Sequence, residues 1–350
     1  MTRILIISDI HGNHPALAEF MRTVENSGEI NTIRCLGDVV GYYMDPVPAW
    51  EWALKHDPEM RVGNHEVAVV EDACGDDLYL DRRAVMAACR HRAILRKKQD
   101  HWKSLRDSVA NHSRHEVRRE SVDGYHLHFV HGTPIGHNYI SLAAQATYLY
   151  PDRALPDWEP IGHYLGNANG GHDKSILFFG HTHLPTFFHY VGAGPTFEGA
   201  TYNTQIEIRA QRRIAVNPGS IGAPRDGVIY DDGRKRAHGV ILDTVRHTIE
   251  FVSVPYNPIH IYLFGREDYC EPFDRDDLRN VCLALVKRRM VSPDCLNAIT
   301  AGLEDPNTDT QDCLNKFWKE VQGQLLEHYF NKPCRSDLVY EYAADGFRVR

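Results

Sequence analysis

Five short polar clusters in this chain share one context, each standing where an apolar run stops. They are Asp9-Ile10-His11, Gly37-Asp38, Gly63-Asn64-His65-Glu66, His131-Gly132 and Gly180-His181-Thr182-His183. A carboxylate and an imidazole two residues apart at the end of a buried strand are expensive to keep there. Burying an unpaired charge costs several kcal/mol unless a partner or a metal takes it up. Singly, each cluster has an ordinary reading: a solvated loop ahead of a helix capped by Asn13, a Gly-Asp turn, a surface pair of histidines. Together, in one N-to-C order, they supply two Asp, one Asn and four His besides His65. That mixed oxygen and nitrogen set suits two divalent first-row cations; it is softer than a magnesium site and lacks the thiolates that structural zinc favours. Glycine beside most of these residues fits backbone that comes close to metal or phosphate.

The elements that must position the clusters alternate. Residues 4–7 read as a strand covered on both faces. Residues 15–24 read as a helix with Leu17, Phe20, Met21 and Val24 on one face. Strands over 32–36 and 60–62 flank a helix over 47–55 with Trp50 and Leu54 turned inward. This alternation predicts a layered α/β domain whose ligands lie at strand ends. Residues 67–113 read as mostly helical, with the basic run 90–98 as a solvated helix face. Strands 117–122 and 125–130 form a hairpin around Asp123-Gly124. The stretch 133–174, with four Tyr and one Trp, reads as a long irregular excursion of the kind used as a lid or binding element. After the strand 175–179, short β segments over 186–190, 206–209, 213–217, 228–230, 237–243 and 248–254 read as a second, largely antiparallel sheet. Beyond Pro255 the pattern turns helical (275–287, 293–303, 312–329), with a linker at 304–307.

Bulk properties bound the function. The 350 residues carry 47 acidic and 39 basic side chains, a net charge of -8. That gives no global attraction to nucleic acid or anionic membranes. No apolar run approaches the roughly 18 residues of a membrane span, and the start of the chain leads into a strand rather than a signal peptide. Eight scattered cysteines without a C-x-x-C pair suit reduced thiols of a cytoplasmic protein.

The ordered series D-x-H, G-D, G-N-H-E, H and G-H-x-H, spanning residues 9 to 183, resembles the signature of the calcineurin-like metallophosphoesterase superfamily. More narrowly, Gly37-Asp38-Val39-Val40-Gly41-Tyr42, His131-Gly132-Thr133-Pro134 and the run from Asn217-Pro218-Gly219-Ser220 to Gly227 resemble its bacterial branch described as YfcE-like or diadenosine-tetraphosphatase-like. The resemblance implies a four-layer α/β/β/α sandwich over residues 1–256. A helical segment, 257–303, would pack on it, followed by a helical C-terminal extension, 304–350, of unassigned role. It implies Asp9, His11 and His183 on a first metal, Asn64, His131 and His181 on a second, and Asp38 bridging them. Manganese or iron is favoured, with zinc, nickel or magnesium open. A hydroxide shared by the metals would attack phosphorus, with His65 assisting the leaving group and Glu66, beside it, able to orient or charge it.

Asn13, Tyr42 and Arg225 are the candidate substrate contacts. Asn13 has a competing helix-cap role and Arg225 a competing ion pair with Asp226. The implied substrate is a small phosphoester or nucleotide, with a phosphodiester favoured. Monoester, nucleotide polyphosphate and nuclease chemistry stand as alternatives, and a retained fold serving as a scaffold is the non-enzymatic one. The sequence lacks the arginine that follows the bridging Gly-Asp in phosphoprotein phosphatases, which weighs against a phosphoserine substrate.

Overall fold

In strand β1 (Arg3–Ile7) the side chains after Arg3 alternate between two interiors, which is why residues 4–7 are all apolar. Ile4 and Ile6 face a second sheet, while Leu5 and Ile7 face a helical layer. The computed structural model describes residues 2–43, 45–71, 82–111, 117–134, 161–166, 174–191, 194–199, 205–210, 213–225, 235–256, 340–343 and 346–349. In chain order, β1 leads to α1 (His14–Asn26), β2 (Thr32–Cys35) and α2 (Pro46–His56), then to α3 (Asn64–Val70), α4 (Arg82–Arg96) and α5 (Gln99–Asn111). The hairpin β3 (Arg118–Val122) and β4 (Tyr125–Val130) turns on Asp123 and Gly124, both at positive φ. Then come β5 (Lys174–Phe179), β6 (Pro185–Val191), β7 (Gly194–Gly199), β8 (Gln205–Glu207), β9 (Arg213–Pro218), β10 (Lys235–Asp243) and β11 (Thr248–Tyr256).

Two mixed sheets result, ordered β2-β1-β10-β11-β8 and β3-β4-β5-β9-β6-β7. Between them pack Ile6, Val240 and Phe251 from the first and Phe129, Phe178 and Val216 from the second. The outer face of the first sheet is closed by Leu17 and Phe20 of α1 and Trp50 of α2. On the outer face of the second, Leu177 and Phe179 meet Ile161 and Leu165 of a short helix over 161–166. This is the four-layer arrangement, and it puts the C-terminal ends of β1, β2, β4, β5 and β9 on one edge.

Four expectations change. Residues 60–62 form no strand; a single backbone bond, Arg61 N–H to Cys35 O at 2.9 Å, ties them to the edge of β2. The later β segments do not make a sheet of their own. β9 pairs in parallel with β5, and β10 pairs antiparallel with β1. Such pairings between distant segments leave no mark in local periodicity. The basic run is not simply a solvated face, because Arg90 and His91 are buried while Arg96, Lys97 and Lys98 are exposed. Helix was expected across the C-terminal extension, but β12 (Tyr340–Ala343) and β13 (Gly346–Val349) pair as an antiparallel hairpin. The helices expected at 275–287, 293–303 and 312–329, the linker at 304–307, the strand at 228–230 and most of the excursion after Pro134 lie outside the described residues.

Candidate metal centre

Five of the seven expected ligands stand in the left-handed backbone region: Asp9 (φ 55°), His11 (54°), Asp38 (53°), His181 (68°) and His183 (62°). For residues with a side chain this costs on the order of 1–2 kcal/mol each, so the surrounding structure must impose it. Backbone bonds across the strand ends do so. Asp9 N–H donates to Gly37 O (3.0 Å), His11 N–H to Asp38 O (2.8 Å) and Gly180 N–H to His131 O (2.7 Å). The two sheets are joined where His181 N–H donates to Asp9 Oδ2 at 3.1 Å. Gly63 shows why glycine is needed beside these residues, since a Cβ there would lie 2.1 Å from Asp38 Oδ1. There the room is taken by the Asp38 carboxylate.

All seven expected ligands converge. Asp9, His11, Asp38 and His183 form one cluster and Asp38, His131 and His181 another, with the donor atoms of each within 4.8 Å of one another. Asn64 Oδ1 lies 3.2 Å from His131 Nε2, completing the second group. Three imidazoles are held by the nitrogen turned away from the centre. Nδ1 of His11 faces Val40 O (3.2 Å), that of His131 faces Leu36 O (2.9 Å) and that of His183 faces Ala223 O (2.6 Å). Each Nδ1 therefore carries its proton, and each Nε2 lone pair points inward. His11 Nε2 and His183 Nε2 stand 3.1 Å apart, and Asp9 Oδ1 lies 3.2 Å from the latter. Asp9 Oδ1 is buried and accepts no hydrogen bond. Lone pairs meeting in a dry pocket repel unless a cation sits among them, so these residues fit divalent metal.

Protonation agrees. Burial holds His11 and His181 well below the ordinary imidazole range, with His65 and His183 adding to the effect on His11 and His131 to that on His181. His183 is lowered by burial and by the charge of Arg225. Burial opposes the charge of Asp38, but His131 and His65 outweigh it and keep the carboxyl ionised. On His131 burial also opposes charge, yet Asp38, Asp9 and Glu66 raise it to about 9, so a cation binding there displaces a proton.

The remaining candidates separate. His65 is buried beside the ligands, its ring 4.6 Å from His11 and 4.7 Å from Tyr42, and its N–H donates to Asp38 Oδ1 at 2.8 Å. Tyr42 also lies 4.7 Å from the His11 ring, so it walls the site. Arg225 is exposed at the rim, its N–H 3.4 Å from His183 O. Asn13 uses both ends of its amide internally, accepting from Ala16 N–H at the start of α1 (3.2 Å) and donating to Gly222 O (3.1 Å). Glu66 serves a different neighbour from the one expected. Its carboxylate accepts from the N–H groups of Asp38 (2.8 Å), Val40 (3.0 Å) and Gly63 (2.8 Å), fixing the Asp38 loop.

Two supporting residues had no assigned role. Asn217 Nδ2 donates to Gly180 O (2.9 Å) and Thr182 Oγ1 (2.7 Å). Ser220 Oγ donates to Asp9 O (2.7 Å) and accepts from Ala223 N–H (2.8 Å). Their signal was available, because Asn217-Pro218-Gly219-Ser220 is one more polar cluster where an apolar strand stops.

Comparison with known proteins now bears on identity. Residues 2–232 match the model of the calcineurin-like phosphoesterase superfamily domain. An uncharacterized protein of Methanocaldococcus jannaschii is 29% identical over 254 residues, 73% of this chain and 88% of that protein. A crystal structure of a metallophosphoesterase from Sphaerobacter thermophilus matches with a TM-score of 0.52 at 23% identity, over 81% of this chain and 99% of that one. A hypothetical protein from Pyrococcus horikoshii gives the same TM-score at 17% identity, over 77% and 95%. The solved structures share the fold, and the domain match carries the assignment: this chain belongs to the calcineurin-like phosphoesterase superfamily and is a metal-dependent phosphoesterase.

Proposed function

We propose that the enzyme hydrolyses a phosphodiester bond in a small nucleotide-type compound, using two divalent cations held on either side of Asp38. The observation that carries this reading is the pair of inward-facing donor clusters that share the Asp38 carboxylate. Two such cations, when bound, supply Lewis acidity toward phosphoryl oxygens and acidify water. Asp9, His11 and His183 would hold one, and Asn64, His131 and His181 the other; manganese or iron suits the mixed donors.

The chain's own residues do the rest. His65, beside the ligands yet outside both clusters, is placed to give a proton to the leaving oxygen. Tyr42 supplies a flat wall against which an ester group can lie. Arg225 supplies a rim cation for a phosphate oxygen. A diester brings a single negative charge, whereas a phosphate monoester brings about -1.5 to -2 at pH 7; one rim arginine suits the former. The buried cysteines Cys35 and Cys89, neither in a disulfide, fit a reducing cytoplasm, and among the described residues no helix is long and apolar enough to cross a membrane.

Metal analysis of the purified protein, followed by rates on bis-p-nitrophenyl phosphate, p-nitrophenyl phosphate and pyrophosphate, tests the reading. Two cations per chain and fastest cleavage of the diester are expected. Faster monoester or pyrophosphate cleavage would reassign the substrate, and absence of stoichiometric metal would defeat the mechanism.

A further inference from the structure

The loop after β2 carries Asp38 and then folds over the histidines. Val40 O receives the Nδ1 proton of His11. Gly41 (φ 138°) lies so close that a Cβ would stand 2.5 Å from His11 Nδ1 and 2.6 Å from His65 Nδ1. Tyr42 then places its ring against both imidazoles. Glu66 binds the near end of this loop, reaching as far as Val40. The far end is held from α4 by His91, which is fully buried. Gly41 N–H donates to His91 Nδ1 at 2.9 Å, and His91 Nε2 faces Tyr43 O. Because Nδ1 accepts, the proton must sit on Nε2, where it is donated to Tyr43 O. One neutral imidazole thus clasps the loop on both sides of Tyr42, and burial, pushing His91 down to about 3, keeps it neutral.

We propose that His91 is a positioning residue for His65: by bridging Gly41 N–H and Tyr43 O, it holds Gly41 and Tyr42 against the His65 ring and fixes where that ring delivers its proton. This rests on the proposed role of His65 as the acid for the leaving group. Its chemistry requires one acceptor and one donor on the same planar group. A glutamine amide offers both; leucine fills similar space and offers neither.

The test uses full-length, metal-loaded protein and two diesters. Bis-p-nitrophenyl phosphate has a leaving group that needs little protonation, and diphenyl phosphate has one that needs much. His91→Leu is expected to retain both metals and to lower kcat on diphenyl phosphate about 10–100-fold, with a smaller loss on the activated ester and little change in KM. His91→Gln is expected to recover most of that loss. The pair His65→Ala with His91→Leu should be no slower than His65→Ala alone, as residues acting through one group are non-additive. In metal-free protein, 15N-histidine spectra should show His91 protonated on Nε2 alone, and His65 resonances that move in His91→Leu but not in His91→Gln.

If His65→Ala shows no dependence on the leaving group, the reading of His65 fails first. If it does, while His91→Leu leaves both kcat and the His65 resonances unchanged, or multiplies the His65→Ala loss, the inference about His91 alone is overturned. Should His91→Leu not fold, His91→Gln and the tautomer decide: a Gln variant with displaced His65 resonances, or His91 protonated on Nδ1, overturns it.

Discussion

Asp9, His11 and His183 lie on one side of Asp38, and Asn64, His131 and His181 on the other, with similar donor atoms but different architecture. All three residues of the first group stand at positive φ, at strand ends of both sheets. Only His181 of the second does; Asn64 opens α3 and His131 simply follows β4. The first group is sealed, with Asp9 and His11 0% and His183 1% exposed, while His181 reaches 9% and Asn64 is half-buried. One half therefore exists only because tertiary bonds impose a strained backbone, and it is dry. The other uses an ordinary helix start and strand end, and it opens toward solvent. The sealed half should exchange its cation slowly, and the half with the more exposed residues should be the one that solvent reaches first.

Removing the shared carboxylate should have the largest effect. Asp38→Asn is expected to lose bound metal and to slow diester hydrolysis on the order of 10³-fold or more, several kcal/mol of transition-state stabilisation; metal analysis and kcat/KM check it. Next come the halves separately. His183→Ala should reduce the metal content from two to one and the rate about 100-fold, while Asn64→Ala should keep two cations in excess metal with a loss nearer 10-fold. If titration with manganese showed Asn64→Ala to be stripped as thoroughly as His183→Ala, the contrast between a sealed and an open half would collapse. Glu66→Gln, which turns an amide N–H₂ toward buried backbone donors, should cost about 1.5–3 kcal/mol of stability, read from urea unfolding of the metal-free protein. It should weaken both halves together, because Glu66 binds the loop between them. Ser220→Ala should be mildest, about 1 kcal/mol. Its effect should fall on the first half alone, since Ser220 braces Asp9 and the Ala223 segment that orients His183.

Much of this centre was legible because ligands at strand ends follow the chain's own order. The apolar run before Asp9, the Gly-Asp after β2 and the paired histidines after β5 each report a local event, and short-range pattern records local events well. Asn13 was legible in its cap role for the same reason. Other residues were not. Glu66 sits beside His65 in sequence, which suggested an orienting role toward it, yet its carboxylate turns to the backbone of the Asp38 loop. His91 lies in a basic helical stretch that reads as solvated, because nothing local distinguishes the turn of α4 that faces the loop after β2 from the turns that face water.

The sequence by itself determined the candidate ligands, their order, the strands that carry them and the superfamily. Tertiary structure alone decided how strands after β5 divide between two sheets, which residues brace the site, and that five ligands adopt left-handed backbone. The physical reason is distance along the chain. His11 and His183 are separated by 172 positions and meet at 3.1 Å, and neither the strain at such residues nor the hydrogen bonds that offset it belong to any one stretch of sequence.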